Sequence, residues 1–154
     1  MRIQLQDIRR TLPQVITSAK LSLETPGPGF FDITREVRQF VTATKADEGV
    51  LFVFLRHTSA SLAIQENAAV EVRTDLVAAL DRLAPENAGW AHEEEGPDDM
   101  PAHVKAMLTG VSLHIPVVSR ELALGTWQGI YVAEHRARPH RREVILQFLG
   151  SLAE

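Results

Sequence analysis

The sequence predicts a compact α+β domain with mixed or antiparallel sheets and about three helices, occupying residues 1–154 as a single unit. Segments that read as strands outnumber helical ones, roughly six or seven to three, and the two kinds do not alternate as a doubly wound or barrel fold requires. The 154 residues suit one domain, which at this size buries roughly 70% of the surface an extended chain exposes. With 45% hydrophobic and 23% charged residues, disorder and fibrous repeats are excluded.

The elements follow in order. Gln14 to Leu23 reads as a strand, with Val15, Thr17, Ala19, Leu21 and Leu23 on one parity. Pro26-Gly27-Pro28-Gly29 interrupts it, since two prolines and two glycines cannot continue a ladder. A short helix follows, capped by Asp32 or Thr34, with Ile33, Val37, Phe40, Val41 and Thr44 on one face. Val50 to Arg56 is the most apolar segment and predicts a central strand. A second helix is expected from about Ala69 to Leu83, capped by Asn67 and burying Val72, Leu76, Ala79, Leu80 and Leu83. Residues 84–97 form a loop with an acidic centre at Glu93, Glu94 and Glu95. A third helix starts near Asp99, capped by Asp98 or Asp99, ends at Gly110 and is expected to bury Met100, Val104, Met107 and Leu108. Strands are expected over 111–117, 122–124, 126–134 and 143–149, with a bulge or close backbone approach at Gly129.

Several function classes drop out. There are no cysteines, hence no disulfide framework, thiolate-ligated metal or thiol nucleophile. A formal net charge of -4 makes a general nucleic-acid binder a poor expectation. The longest purely apolar run, Val50 to Leu55, is far too short to span a bilayer. No membrane association and a cytoplasmic location are therefore expected; a small phosphorylated molecule is the ligand expected from the arginine run between His135 and Arg142.

Chemistry-bearing residues concentrate in a few places. His57 ends a hydrophobic strand and opens a run of hydroxyls, Thr58, Ser59 and Ser61, where exposed amides and hydroxyls can cradle an anion. His92 and His103 flank an acidic stretch, and Asp99 lies four positions before His103, so in a helix the two share a face. Imidazoles with a carboxylate suit a divalent metal, and His57 is a candidate third histidine beside His92 and His103. Asp99 or Glu66 is the candidate general base. Lys105 is placed to neutralise a phosphate. Trp127 and Gln128, between Gly125 and Gly129, offer an aromatic face and an amide for a planar heterocycle. The run from His135 to Arg142 holds four arginines in eight positions; it reads either as a phosphate site or as a solvated hairpin turn.

Four blocks in order carry a family resemblance: His57-Thr58-Ser59-Ala60-Ser61-Leu62, Gln65-Glu66-Asn67, Asp99-Met100-Pro101-Ala102-His103, and Leu122 to Tyr131 with Leu-Gly-Thr-Trp-Gln-Gly at its centre. The chain resembles the YjbQ-like family, also called UPF0047 or the secondary thiamine-phosphate synthase family, from about Gln14 to Gly150. The resemblance implies a YjbQ-like α+β fold, a homotrimer, and a polar cleft or metal site around His57, His92 and His103. It also implies a transferase activity, as a main or a secondary role, in which a pyrimidine diphosphate joins a thiazole phosphate with loss of pyrophosphate. Under that reading a divalent metal (Zn, Mn or Mg) and Lys105 receive the leaving diphosphate, Thr58, Ser59, Ser61 and Asn67 contact ligand, and Trp127 with Gln128 holds the pyrimidine. The alternatives are a metal-dependent hydrolase or lyase acting on a small phosphorylated metabolite, and a non-catalytic ligand-binding trimer.

Overall fold

The computed structural model describes residues 3–4, 8–92 and 94–154. Among the described residues, eight strands and three helices follow one another as β1 (Val15–Thr25), β2 (Gly29–Asp32), α1 (Thr34–Ala43), β3 (Ala46–Leu55), β4 (Ala60–Glu66), α2 (Val70–Leu83), α3 (Asp99–Thr109), β5 (Ser112–Val118), β6 (Glu121–Leu122), β7 (Gln128–Glu134) and β8 (His140–Leu152). They form a five-stranded sheet in the order β1-β8-β3-β5-β6 and a three-stranded sheet in the order β2-β7-β4. Every pairing is antiparallel. The α+β expectation holds, and β3 is the middle strand of its sheet, as its apolar character predicts.

The core lies between the sheets. Leu51, Val53 and Leu55 of β3, Ile115 and Val117 of β5, and Val144, Leu146 and Phe148 of β8 meet Leu62, Ile130 and Val132 of the smaller sheet, with Val37 and Val41 of α1 between them. The opposite face of the smaller sheet is buried too, because α2 lies along β2 and α3 along β4. Ser61 and Tyr131, on that face, are 0% and 1% exposed. A Cβ on Gly129 would sit 2.9 Å from the Tyr131 ring, so the close approach expected at this glycine is with an aromatic side chain. Where β3 meets β8, a Cβ on Gly49 would fall on the Leu149 carbonyl and one on Gly150 on the Glu48 carbonyl, and the register shifts between Ala46 and Gly49.

The structure corrects the helix faces. Leu83 is exposed rather than buried. Helix α3 buries Asp99, Pro101, Ala102, Lys105 and Ala106, while Met107 and Leu108 face outward. Small residues let α3 approach β4 closely, and the buried polar groups belong to the network described below. Capping differs as well. Asp32 accepts the Thr34 amide at 2.8 Å, but Asn67 does not cap α2: its amide donates to the Thr126 carbonyl at 3.2 Å, and Glu66 takes the Ala69 amide instead. Strands β2 and β4 are additions, the first hidden by its flanking Pro-Gly residues and the second by its small and polar ones.

The β5–β6 hairpin turns on Ser119 and Arg120, both with positive φ (52° and 72°), as a two-residue turn of this hand requires. Neither is glycine or asparagine, so each carries a steric penalty. The Ser119 amide donates to the Glu48 carboxylate at 3.0 Å and the Arg120 amide to the Asp47 carbonyl at 3.0 Å, which offsets it. The exposed Arg120–Asp47 pair adds little. Arg120→Gly is therefore expected to stabilise the chain by about 1 kcal/mol, read as a higher thermal midpoint; an unchanged or lower midpoint would count against strain at this turn.

Candidate metal centre

Helix α3 opens with Asp99 and brings His103 round beneath it one turn later. His92 reaches the same point from the preceding loop, its Nε2 lying 2.8 Å from Asp99 Oδ2, while His103 Nε2 lies 3.6 Å from that same oxygen. One donor atom from each of the three residues falls within 4.8 Å of the others. The tautomer of neutral His103 is fixed by its surroundings. Its Nδ1 lies 3.0 Å from the Thr58 carbonyl, which can only accept, so the ring proton sits there and Nε2 presents a lone pair towards Asp99. Two acceptors facing each other invite a shared cation, and backbone anchoring of the far ring nitrogen is the usual support of a metal-bound imidazole. Two imidazoles and one carboxylate match the donors of three-ligand catalytic sites. The residues present fit a divalent metal.

Arg136 fixes the carboxylate. Its Nη1 pairs with Asp99 Oδ1, leaving Oδ2 for the histidines, while Nε donates to Asp98 at 3.0 Å and Nη2 to the Glu95 carbonyl at 2.9 Å. Burial works against the charge on Asp98, but the Ala137 amide and the Arg136 guanidinium outweigh it and hold its carboxyl below the usual range. Arg136 is aimed in turn by Glu134, whose Oε1 accepts the His135 and Arg136 amides at 3.0 and 2.9 Å. Burial pushes the Glu134 carboxyl up, yet Arg142 and Thr25 prevail and keep it ionised.

His57 stands apart from the three clustered donors. Its Nε2 accepts the Glu143 amide at 2.9 Å, its Nδ1 lies 3.4 Å from Arg142 Nη1, and burial followed by the adjacent Arg142 charge lowers its pKa. His57, Thr58 and His103 share a groove of about 590 Å³ walled by Phe54, Ala106 and Met107. Ser59 Oγ accepts from Arg142 at 3.2 Å. Ser61 is enclosed against His135 Nε2 at 2.8 Å. Lys105, on the other face of α3, pairs with Asp81. Glu66, Asn67, Trp127 and Gln128 gather elsewhere, since Glu66 pairs with Gln128 at one end of the β4–β7 ladder and Ala60 with Glu134 at the other. Six residues of strand separate the two ends, about 20 Å. Trp127, 65% exposed, therefore does not meet the histidines of its own chain. Of the acidic loop, Glu93 lies outside the described residues.

Sequence reasoning missed the work of the basic run. His135, Arg136 and Arg142 are buried rather than solvated. The signal was Glu134 directly before them, an acid whose neighbours on both sides of a hairpin are cationic.

His135 supplies a pH test. Burial, then the charge of Lys105, lowers its pKa to about 4, so between pH 6.5 and 4 the unfolded chain binds a proton that the folded chain does not. Stability is complete above pH 6.5 and falls as pH drops, by up to about 3 kcal/mol from this group. His135→Asn should flatten that part of the stability curve in denaturant titrations at pH 7 and 5; a wild-type slope in the variant would remove His135 as its source.

Comparison with known proteins agrees with this fold. The family described as "UPF0047 protein YjbQ-like" matches residues 19–151. A UPF0047 protein of Synechocystis sp. is 45% identical over 133 residues, 86% of this chain and 90% of its own length. The UPF0047 protein YjbQ of Salmonella typhimurium is 40% identical over 84% of this chain and 95% of its own. Among solved structures, an uncharacterised conserved protein of the same family from Clostridium acetobutylicum superposes with a TM-score of 0.79 at 37% identity, covering 84% of this chain and 98% of that one. A hypothetical protein from Aeropyrum pernix reaches 0.82 at 29% identity, covering 88% and 99%. With its fold, its matched length and its relatives in agreement, the chain belongs to the UPF0047, YjbQ-like family.

Proposed function

We propose that the protein is a metal-dependent hydrolase or lyase acting on a small phosphorylated metabolite, with zinc or manganese held by His92, Asp99 and His103. The observation that carries this is the single buried oxygen, Asp99 Oδ2, facing both imidazole Nε2 atoms. A divalent cation bound there would activate a water or polarise a substrate oxygen. The chain's own part is preparation. Arg136 pairs with one oxygen of Asp99 and leaves the other free, the Thr58 carbonyl orients His103, and the groove beside His103 offers a substrate the apolar walls of Phe54, Ala106 and Met107. His57, whose pKa is lowered by burial and the adjacent Arg142, borders the groove as a neutral ring.

Transfer to give thiamine phosphate is less well served. Magnesium, the usual companion of a departing diphosphate, prefers oxygen ligands to imidazole. Trp127 and Gln128 lie at the far end of the β4–β7 ladder, so stacking a pyrimidine beside the metal would require a neighbouring copy.

Such neighbours are part of the proposal. The outer face of the five-stranded sheet carries the cross-strand row Ile16, Leu149, Val50 and Pro116. Ile16 is 68% and Phe54, on the same face, 48% exposed, and exposed apolar area of this kind marks an association surface. We assign it to contacts between copies in a homotrimer, the number three coming from the family resemblance.

Native mass spectrometry with elemental analysis tests both points. About one zinc or manganese per chain is expected, with Asp99→Asn and His103→Ala each lowering metal affinity by about a hundredfold. Full retention in both variants would sink the metal centre. Chelator-sensitive cleavage of a generic phosphate ester without any thiazole partner would support the hydrolytic reading, whereas metal and ligand retained without turnover would favour a binding role. For assembly, Ile16→Lys with Phe54→Lys should shift the mass from trimer to monomer, and a monomeric wild-type mass would end the trimer proposal.

A further inference from the structure

Helix α3 has a second functional face. Two positions along a helix are about 200° apart, so Lys105 points away from His103 and into a separate cavity of about 340 Å³, between α2 and the turn after β7, lined by Asp81, Pro85, Pro101, Lys105, His135 and Ala137. Two of its polar residues are almost wholly enclosed, Lys105 at 8% and His135 at 5% exposure. Glu86 and Asp98 also border the cavity, the latter already committed to Arg136.

The partners of these two groups are unequal to them. Lys105 Nζ is paired with Asp81 Oδ1 at 2.5 Å, but the Lys105 side chain is 10% exposed and that of Asp81 59%. The aspartate can swing into water at little cost, whereas the ammonium cannot follow and must keep an anion beside it. His135 binds Ser61 through Nε2. Its Nδ1 has no protein partner among the described residues, and the ring lines the cavity. In the tautomer where the Ser61 hydroxyl donates to Nε2, Nδ1 carries the proton and offers a second donor beside Lys105. The depressed pKa of His135 is in keeping with a neutral ring in that role.

The geometry points to a second ligand site, distinct from the metal centre, in which Lys105 and His135 Nδ1 bind the carboxylate or phosphate group of a small metabolite in place of Asp81. Asp81 acts as a resident stand-in anion that keeps Lys105 paired until the ligand arrives. The size of the cavity suits a small molecule more than a bare ion.

The test follows the ring nitrogens of the histidines in the intact protein by 15N NMR, during separate titrations with inorganic phosphate and with acetate. The expected result is a saturable movement of the His135 signals, with phosphate alone or acetate alone identifying the class of oxyanion. The two substitutions should act in opposite directions. Lys105→Met should remove the response. Asp81→Asn, a change at an exposed side chain, should strengthen binding about tenfold by removing the competing carboxylate. His135 signals that stay still with both anions would overturn the site, as would a response unaltered in either variant. A response confined to His92 and His103 would overturn it too, by placing the anion at the metal centre instead.

Discussion

The carboxylate of Glu134 is shared between the two sheets. It ends β7 in the smaller sheet and receives Nε of Arg142 from β8 at 2.7 Å and the hydroxyl of Thr25 from β1 at 2.6 Å, both in the larger sheet. Its side chain is wholly buried. An ion pair so placed adds little net stability compared with apolar packing, but loss of one partner would strand a charge that the interior cannot solvate. The value of this pair lies in position. The same carboxylate accepts the next two backbone amides, which turns the chain so that His135 faces α2 and Arg136 faces Asp99. Arg142, held in the pair, extends to Ser59 and lies beside His57. The geometry around the candidate metal ligands thus depends on a contact that includes none of them.

How much of this the sequence discloses follows from the range of each interaction. Local patterns placed α1, α2 and β3 well, because a strand reaching from apolar Val50 to Leu55 and helices with a single apolar stripe need no distant information. Asp99 and His103 were legible for the same reason, four residues apart on one helix. The face of α3 was not. Its Met and Leu residues attract an apolar reading, yet the buried side is made of Pro101, Ala102, Ala106 and the charged Asp99 and Lys105, whose partners lie on other elements. Arg136 meets Asp99 across 37 positions, and no local window distinguishes such an arginine from a solvated one. The place of His57 at a strand end marks it as a candidate functional residue, but the Glu143 amide that donates to its Nε2 comes from 86 residues away.

Helix α3 separates two environments with opposite needs. On one side a carboxylate is stripped of competing hydrogen bonds on a single oxygen and set between imidazoles. On the other an ammonium is enclosed with a movable counter-ion. Burying both on one short helix is tolerated because each charge has a partner from another element, Arg136 from the β7–β8 turn and Asp81 from α2. A shift of α3 along β4 would disturb both environments together, which couples them mechanically without a shared ligand.

The strand order has a consequence for synthesis. The last strand, β8, is inserted between β1 and β3, pairing Val15 with Gly150 and Leu55 with Val144. While the chain is being made, β1 therefore has no β8 to pair with and β3 keeps an open edge until residues 140–152 have emerged from the ribosome. Contacts between the two ends of a chain also slow folding, because the loop between them must close first. The larger sheet accordingly completes only once β8 has emerged. The nascent chain must hold its exposed strand edges apart from those of its neighbours until then, and loss of residues 140–152 would remove the strand around which the sheet is built.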